Sequence, residues 1–263
     1  MLKFTANIST LFREVPLLER VGAAKAAGFD GIEVQFPYGE SAQALRAAAD
    51  AAELPVVLIN GPVVPPHYPW GIAGRPEMRD MFRVQLDTVH AYASVLGVRF
   101  VNFLAGLARP SDDRGECRRI YGENLLLAAD RLAGLGVQVL IEPLNPIDFP
   151  DYQLTSFDDA AAVIAACDGR IGLQFDAYHA AQLGLDPASE FERHLPVIRH
   201  LQFADAPGRH EPGTGATAFE PFVSALLRHR YSGWVGAEYH PSTTTADSLG
   251  WLDAWRRSST SRR

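Results

Sequence analysis

Short apolar runs alternate with alanine-rich amphipathic stretches along most of the chain. The runs cover residues 3–8, 31–36, 56–60, 100–104, 137–142, 170–176, 198–203 and 234–239. Their length and their β-branched and aromatic content read as buried strands. Helical stretches fill the intervals: 16–27, 42–53, 77–96, 116–133, 160–166, 219–229 and 246–255. Pro16 and Gly28 bracket the first, Gly97 and Gly134 stop two others, and Ser41 and Ser156 stand where N-caps belong. Gly184 and Pro187 break the stretch after the sixth strand into pieces.

Eight strand–helix units in 263 residues predict an α/β chain folded as a single-domain (β/α)8 TIM barrel. The barrel is expected over 1–257, with 258–263 a flexible basic tail. An open doubly wound sheet is the alternative. That fold carries a glycine-rich turn after its first strand, and Asn7-Ile-Ser-Thr-Leu-Phe12 has none. Residues 62–76 read as an enlarged loop after strand three. Its Val63, His67, Tyr68 and Trp70 suit a wall over a site.

In such barrels the chemistry sits where the strands end. Every strand here ends in or near a polar side chain: Asn7, Glu33 and Gln35, Asn60, Asn102, Glu142, Asp176, Gln202 and Glu238. Alternation puts Leu140 with Glu142, Gln174 with Asp176, His200 with Gln202, and Gly236 with Glu238 on one face. The last four strands thus bring three carboxylates and one amide to one edge. Like charges at ~4 Å repel by about 4 kcal/mol at an effective dielectric near 20, so such a cluster calls for a cation or shared protons. An all-oxygen donor set suits a hard divalent cation, Mg2+ or Mn2+, better than structural zinc. His179 lies one short turn beyond Asp176, within reach of a substrate oxygen. A loop shaped by glycine and proline displays Arg209, whose planar fork matches a substrate carboxylate. His240 follows Glu238 on the same face.

Composition narrows the partners. The net charge of -7 and the lack of any long Lys/Arg run before the tail argue against nucleic acid. The two cysteines, Cys117 and Cys167, have no paired spacing that would suggest a zinc site or a disulfide framework. Met1-Leu-Lys-Phe-Thr lacks the apolar stretch of a signal peptide, and no run approaches the ~20 apolar residues of a membrane span. The expectation is a soluble, cytoplasmic protein. Tyr231, Trp234, Trp251 and Trp255 serve either the core or the interface of a homo-oligomer.

Several segments in order resemble the hydroxypyruvate isomerase family of the xylose-isomerase-like TIM barrels. They are Phe4-Thr-Ala-Asn-Ile-Ser9, Ala26-Ala-Gly-Phe-Asp-Gly-Ile-Glu33 with Phe36-Pro-Tyr38, Ile141-Glu-Pro-Leu-Asn145, Gln174-Phe-Asp-Ala-Tyr-His179, His200-Leu-Gln-Phe-Ala-Asp205, Arg209-His-Glu-Pro-Gly-Thr-Gly215 and Gly233-Trp-Val-Gly-Ala-Glu-Tyr239. The resemblance implies Glu142 and Glu238 as the proton-transfer pair and a metal site of Glu142, Asp176, Gln202 and Glu238. Many relatives in the wider superfamily carry His where this chain has Gln202, and the neutral oxygen ligand favours Mg2+. It further implies interconversion of hydroxypyruvate and 2-hydroxy-3-oxopropanoate through an enediolate, with His179, Arg209, Asn102, His240 and His67 around the substrate. No nucleotide cofactor is needed, because the reaction is redox-neutral within one molecule. The chain departs from the family pattern at Glu238-Tyr-His-Pro241 and at Gly215-Ala-Thr-Ala218. Isomerisation of a 2-oxo-tetronate and 3-epimerisation of a ketose therefore stand as alternatives, and a non-catalytic sugar-acid binding protein as the reading from another class.

Overall fold

The apolar runs become strands, though most are slightly shorter than the hydrophobic pattern. Ile8, Leu104 and Tyr239 lie beyond the ends of their strands and are still buried. Apolarity marks burial, whereas a ladder ends where the backbone turns away. The computed structural model describes residues 1–260. Its eight strands are β1 (Lys3–Asn7), β2 (Gly31–Val34), β3 (Val56–Asn60), β4 (Phe100–Asn102), β5 (Gln138–Ile141), β6 (Gly172–Asp176), β7 (Ile198–Phe203) and β8 (Trp234–Ala237). They form a closed barrel in sequence order, the (β/α)8 architecture expected. The helices are α1 (Leu17–Ala26), α2 (Ala42–Ala52), α3 (Arg79–Leu96), α4 (Arg114–Ala133), α5 (Phe157–Ala166), α6 (Ala177–Gln182), α7 (Pro187–His194), α8 (Phe219–Arg228) and α9 (Gly250–Thr260). No helix among the described residues is long and apolar enough to cross a membrane.

Helix boundaries follow capping chemistry. Ser41 Oγ accepts from the Ala44 N–H at 3.1 Å, and Ser156 Oγ from the Asp159 N–H at 3.1 Å. Asp113 accepts from the amides of Gly115 and Glu116, so α4 starts earlier than its apolar pattern suggests. Gly97 stops α3 at φ 65°, a left-handed cap that glycine adopts without steric cost. Gly184 (φ 71°) and Pro187 divide α6 from α7. Helix α9 runs through Thr260, into the segment expected to be a tail. Of that tail, 261–263 lie outside the described residues.

The contacts fall into two compact units. One holds Met1–Val34, Ala47–Val57 and the chain from Phe175 onward. Here β1 lies between β8 and β2, pairing Thr5 with Gly236 and Asn7 with Glu33, and β7 pairs Gln202 with Gly236. One face of these strands is aromatic. Phe203 sits 4.8 Å from the Trp251 ring and 4.7 Å from the Trp255 ring, and Phe4 lies 5.6 Å from Trp251. Trp251 and Trp255 therefore belong to the core. Such pairs add about 0.5–1.5 kcal/mol each beyond their area. The alternate face is polar: Thr5, Glu33, His200 and Gln202 are all buried and hydrogen-bond one another.

The other unit holds Gln35–Arg46 and Leu58–Gln174. Strands β3, β4 and β5 pair in parallel there, placing Asn60 beside Asn102 and Asn102 beside Leu140. The Tyr38 hydroxyl donates to the Asn60 carbonyl at 2.6 Å. The enlarged loop after β3 is tied down by Arg75. Its buried guanidinium pairs with Asp112 and Glu77 and donates to the Leu107 carbonyl at 2.8 Å. An arginine so placed, with each charge answered, fixes the loop's path.

Gly236 makes room for the polar face. A Cβ there would stand 2.2 Å from Glu33 Oε1. The Gly236→Ala variant is expected to be destabilised by about 1–3 kcal/mol, as in other overpacked cores, measured as a shift in the urea unfolding midpoint.

Candidate active site

Glu238 follows the last residue of β8, and Asp176 ends β6. Both are buried, and Arg209 joins them. The terminal Nη2 of Arg209 donates to Glu238 Oε1 at 2.6 Å and to Asp176 Oδ2 at 3.4 Å. The guanidinium also stacks 4.9 Å from the Tyr178 ring centre. The second oxygen of Glu238 accepts from Asn7 Nδ2 at 2.9 Å. The Asn7 amide is oriented in turn by its Oδ1, which accepts from the Ser9 N–H at 3.0 Å. Asp176 is also the N-cap of α6, accepting from the Tyr178 N–H at 2.9 Å. That cap sets His179 on the first turn of α6, its Nε2 3.7 Å from Asp176 Oδ2. Burial first, and the charge of Arg209 second, hold the His179 imidazole well below its usual range, so it is neutral at pH 7.

Beneath these groups Glu33 gathers three donors. His200 Nε2 lies 2.8 Å from its Oε1, Gln202 Nε2 donates to its Oε2 at 2.7 Å, and the Thr5 hydroxyl donates as well. With its nitrogen on Glu33, the Gln202 amide turns its oxygen the other way, the orientation an oxygen ligand needs.

Arg209 owes its place to Asp205. This buried carboxylate, two residues beyond β7, accepts main-chain N–H bonds from Ala206 and Thr217 on one oxygen and from Gly213 and Gly215 on the other, all at 2.8–2.9 Å. Burial raises its carboxyl, but the amides of Gly215, Thr217 and Gly213 outweigh this, and the net shift is downward. Gly215 is forced by the close approach, since a Cβ there would meet the Ala206 carbonyl oxygen at 2.4 Å. Arg209 takes a left-handed φ of 56°, and its carbonyl accepts from the His240 N–H at 2.8 Å. The His240 side chain itself is exposed.

In the second unit Glu142 follows β5 and is buried. Its Oε2 accepts from Asn102 Nδ2 at 2.9 Å and from Gln174 Nε2 at 2.8 Å. Two amides on one oxygen fix the carboxylate plane. Asn60 and Asn102 are neighbours in register, and the buried Oδ1 of each has no hydrogen-bond partner among the described residues. A buried amide oxygen in that state is a candidate contact for a polar ligand. His67 stands exposed in the loop after β3.

The sequence singled out Asp176, Gln202, Arg209 and Glu238, and these share one unit. Asn7 and Glu33 were visible only as polar strand ends. Their roles as anchors of Glu238 and Gln202 depend on strand register, which composition does not carry. Asp205 looked like any loop aspartate. The one signal for it was the unusual density of glycine downstream, because a carboxylate that collects main-chain amides needs residues without Cβ nearby.

Burial opposes the ionisation of the pair. It raises the Glu238 carboxyl to about 7, against the pull of Arg209, with Asp176 and Glu33 pushing the same way as burial. Asp176 is raised to about 6, again by burial first, against Arg209 and the Tyr178 amide. Both groups bind protons more readily folded than unfolded, so ionising them costs stability. That cost is full above pH 7 and is relieved as pH falls through about 7 and about 6. The Glu238→Gln variant should therefore melt higher than the parent at pH 8 in chelator. A chain of this size gains about 2–4 °C per kcal/mol. The gap should close as pH falls from 7 to 5, which calorimetry over a pH series reads directly.

Residues 21–255 match the model of the xylose isomerase-like TIM barrel family. The 2-oxo-tetronate isomerase of Cupriavidus necator is 37% identical over 256 residues, covering 96% of this chain and 98% of that protein. The hydroxypyruvate isomerase of Escherichia coli is 34% identical over 264 residues, covering 97% and 100%. A crystal structure described as AP endonuclease, family 2, from Brucella melitensis superposes with a TM-score of 0.91 at 34% identity, over 97% of this chain and 99% of that one. The chain belongs to the xylose isomerase-like TIM barrel family, and it is an isomerase.

Proposed function

We propose that this isomerase interconverts hydroxypyruvate and 2-hydroxy-3-oxopropanoate, with Glu142 and Glu238 as the proton-transfer pair. The observation that carries the reading is the treatment of two buried glutamates at strand ends. Each is oriented by amide donors, Asn102 and Gln174 for Glu142 and Asn7 for Glu238. A carboxyl raised to about 7 is a suitable proton carrier near neutrality, since it releases and takes up a proton at similar cost. The relatives named for hydroxypyruvate and 2-oxo-tetronate support the class of substrate, a small 2-oxo acid with a neighbouring hydroxyl.

In this reading one glutamate removes a proton from C3 of hydroxypyruvate, and the C3–H electron pair becomes the C2–C3 double bond of an enediolate. The other glutamate delivers a proton to C2. The C3 hydroxyl loses its proton as C3 becomes the aldehyde, and the C2 oxygen gains one. C3 is oxidised, C2 is reduced, and nothing enters or leaves. His179, held neutral, can donate to or accept from a substrate oxygen without carrying charge. Arg209 holds the substrate carboxylate, and Asn102, with the neighbouring Asn60, offers an amide to a hydroxyl. His240 and His67 edge the site.

The donors fit a hard divalent cation, Mg2+ or Mn2+. Asp176 and Glu238 are carboxylates, and Gln202 is turned so that its amide oxygen faces away from Glu33. Ile141 pairs with Leu173, which sets Glu142 beside Gln174, two residues before Asp176 on the same strand. Glu142, Asp176, Gln202 and Glu238 would hold the ion, with His179 within one helical turn of Asp176 as an imidazole donor. Bound there, a cation supplies positive charge to the substrate oxygens as the enediolate builds.

A four-carbon substrate is the second reading, favoured by the 37% identity to the 2-oxo-tetronate isomerase. A turnover panel of three-, four- and six-carbon substrates separates the two. Glu142→Gln and Glu238→Gln should each lose turnover by about 10²–10⁴-fold, the usual worth of a positioned acid or base, while circular dichroism shows both folded. In deuterium oxide the product should carry deuterium at C2, read by NMR. Near-parental activity in both variants would defeat the two-glutamate assignment.

A further inference from the structure

Three neighbouring strands of the second unit bring Asn60, Asn102 and Glu142 side by side. Asn60 and Asn102 are register partners on β3 and β4, and Asn102 pairs with Leu140 on β5, two residues before Glu142. Paired strands lie about 4.8 Å apart, so the three side chains form a row. None of them is more than 5% exposed. The main chain ties the row together. The Asn60 N–H donates to the Gln35 carbonyl at 2.9 Å, the Asn60 carbonyl accepts from Tyr38, and the Gly61 N–H donates to the Asn102 carbonyl at 2.8 Å. Gly61 allows this approach, because a Cβ there would stand 2.6 Å from the Phe103 ring.

The side chains of the row are polarised. An ionised carboxylate only accepts, so the Asn102 amide turns its Nδ2 toward Glu142, at 2.9 Å, and its Oδ1 the other way. That oxygen and the Oδ1 of Asn60 are buried and accept no hydrogen bond from any described residue. Two fixed acceptors withdrawn from bulk water repel a carbonyl or carboxylate oxygen and favour a hydroxyl, which has a proton to give. Each hydroxyl donates once, so the pair asks for two of them.

We propose that Asn60 and Asn102 form a subsite that reads substrate length: Asn102 takes the hydroxyl on the carbon that exchanges its proton, and Asn60 takes a hydroxyl on the next carbon outward. The assignment rests on the proposed function and adds the residue that separates three-carbon from four-carbon acids. The order follows from the row. Asn102 adjoins Glu142, the proton-transfer carboxylate, and Asn60 stands one strand further off. Hydroxypyruvate, with a single hydroxyl, occupies Asn102. An acid longer by one CHOH unit occupies both asparagines and is held more tightly. A four-carbon acid without the outer hydroxyl sets a methyl group against the Asn60 oxygen, and a site built to bond a hydroxyl rejects the analogue that lacks it.

Inert analogues test the subsite without turnover. 2,3,4-Trihydroxybutanoate and 2,3-dihydroxybutanoate of the same configuration differ only in the hydroxyl assigned to Asn60. Titrated by calorimetry into the full chain at a fixed Mg2+ concentration, the trihydroxy acid should bind at least tenfold more tightly. Asn60→Leu, which keeps the shape but not the acceptor, should bring the two affinities within twofold, and Asn60→Ala serves the same comparison if the leucine variant does not fold. Asn102→Leu should weaken both ligands and preserve their ratio, since both carry the inner hydroxyl. In turnover, Asn60→Leu should lower kcat/KM for the four-carbon 2-oxo acid at least tenfold relative to hydroxypyruvate, chiefly through KM. Equal affinities in the parent, no binding of either analogue, or a preference that survives in the Asn60 variants overturns the subsite. A preference lost in Asn102→Leu instead overturns the order. The expected affinities with no turnover of either oxo acid uphold the subsite and defeat the function. Turnover of hydroxypyruvate with equal analogue affinities does the reverse.

Discussion

The organising constraint is the cost of burying carboxylates. Glu33, Asp176 and Glu238 are all withdrawn from water within one unit of the barrel. An isolated carboxylate in such surroundings costs many kcal/mol unless donors or cations answer it. The chain answers each differently. Glu33 collects three neutral or titratable donors, Asp176 takes a helix-capping amide, and Glu238 takes the Asn7 amide. Arg209 brings a fixed positive charge to the last two. The site is thus built from a deficit of positive charge, which a substrate carboxylate alone would worsen and an added cation would relieve.

Much of the fold was legible because burial and periodicity are local properties. Strand after strand announced itself as an apolar run, and capping residues such as Ser41 and Ser156 fixed helix starts. The differences have separate local causes. Hydrophobic runs overshoot strand ends, as at Tyr239, because residues beyond the last ladder bond remain under helices. Helix α4 starts at Arg114 on the strength of the Asp113 cap, although its first turn carries no apolar face. Helix α9 continues to Thr260, past position 258 where the tail was expected to begin.

The candidate site was legible at the level of residue type and illegible at the level of partnership. Strand ends gave Glu142, Asp176, Gln202 and Glu238, because a barrel of parallel strands puts its variable chemistry there. Which side chain holds which depends on register between strands far apart in sequence: Asn7 meets Glu238 across 231 residues, and Gln202 meets Glu33 across 169. Arg209 illustrates the limit. Its loop advertised a guanidinium for a ligand, yet in the protein it is held by Glu238 and Asp176.

The loop that carries Arg209 has one property of wider use. Asp205 fixes its path by gripping main-chain amides, and the residues that supply them are Ala206, Gly213, Gly215 and Thr217. Side chains at the intervening positions contribute nothing to that grip. The segment can thus diversify at its tips while the arginine stays where it is, a separation of scaffold from ornament.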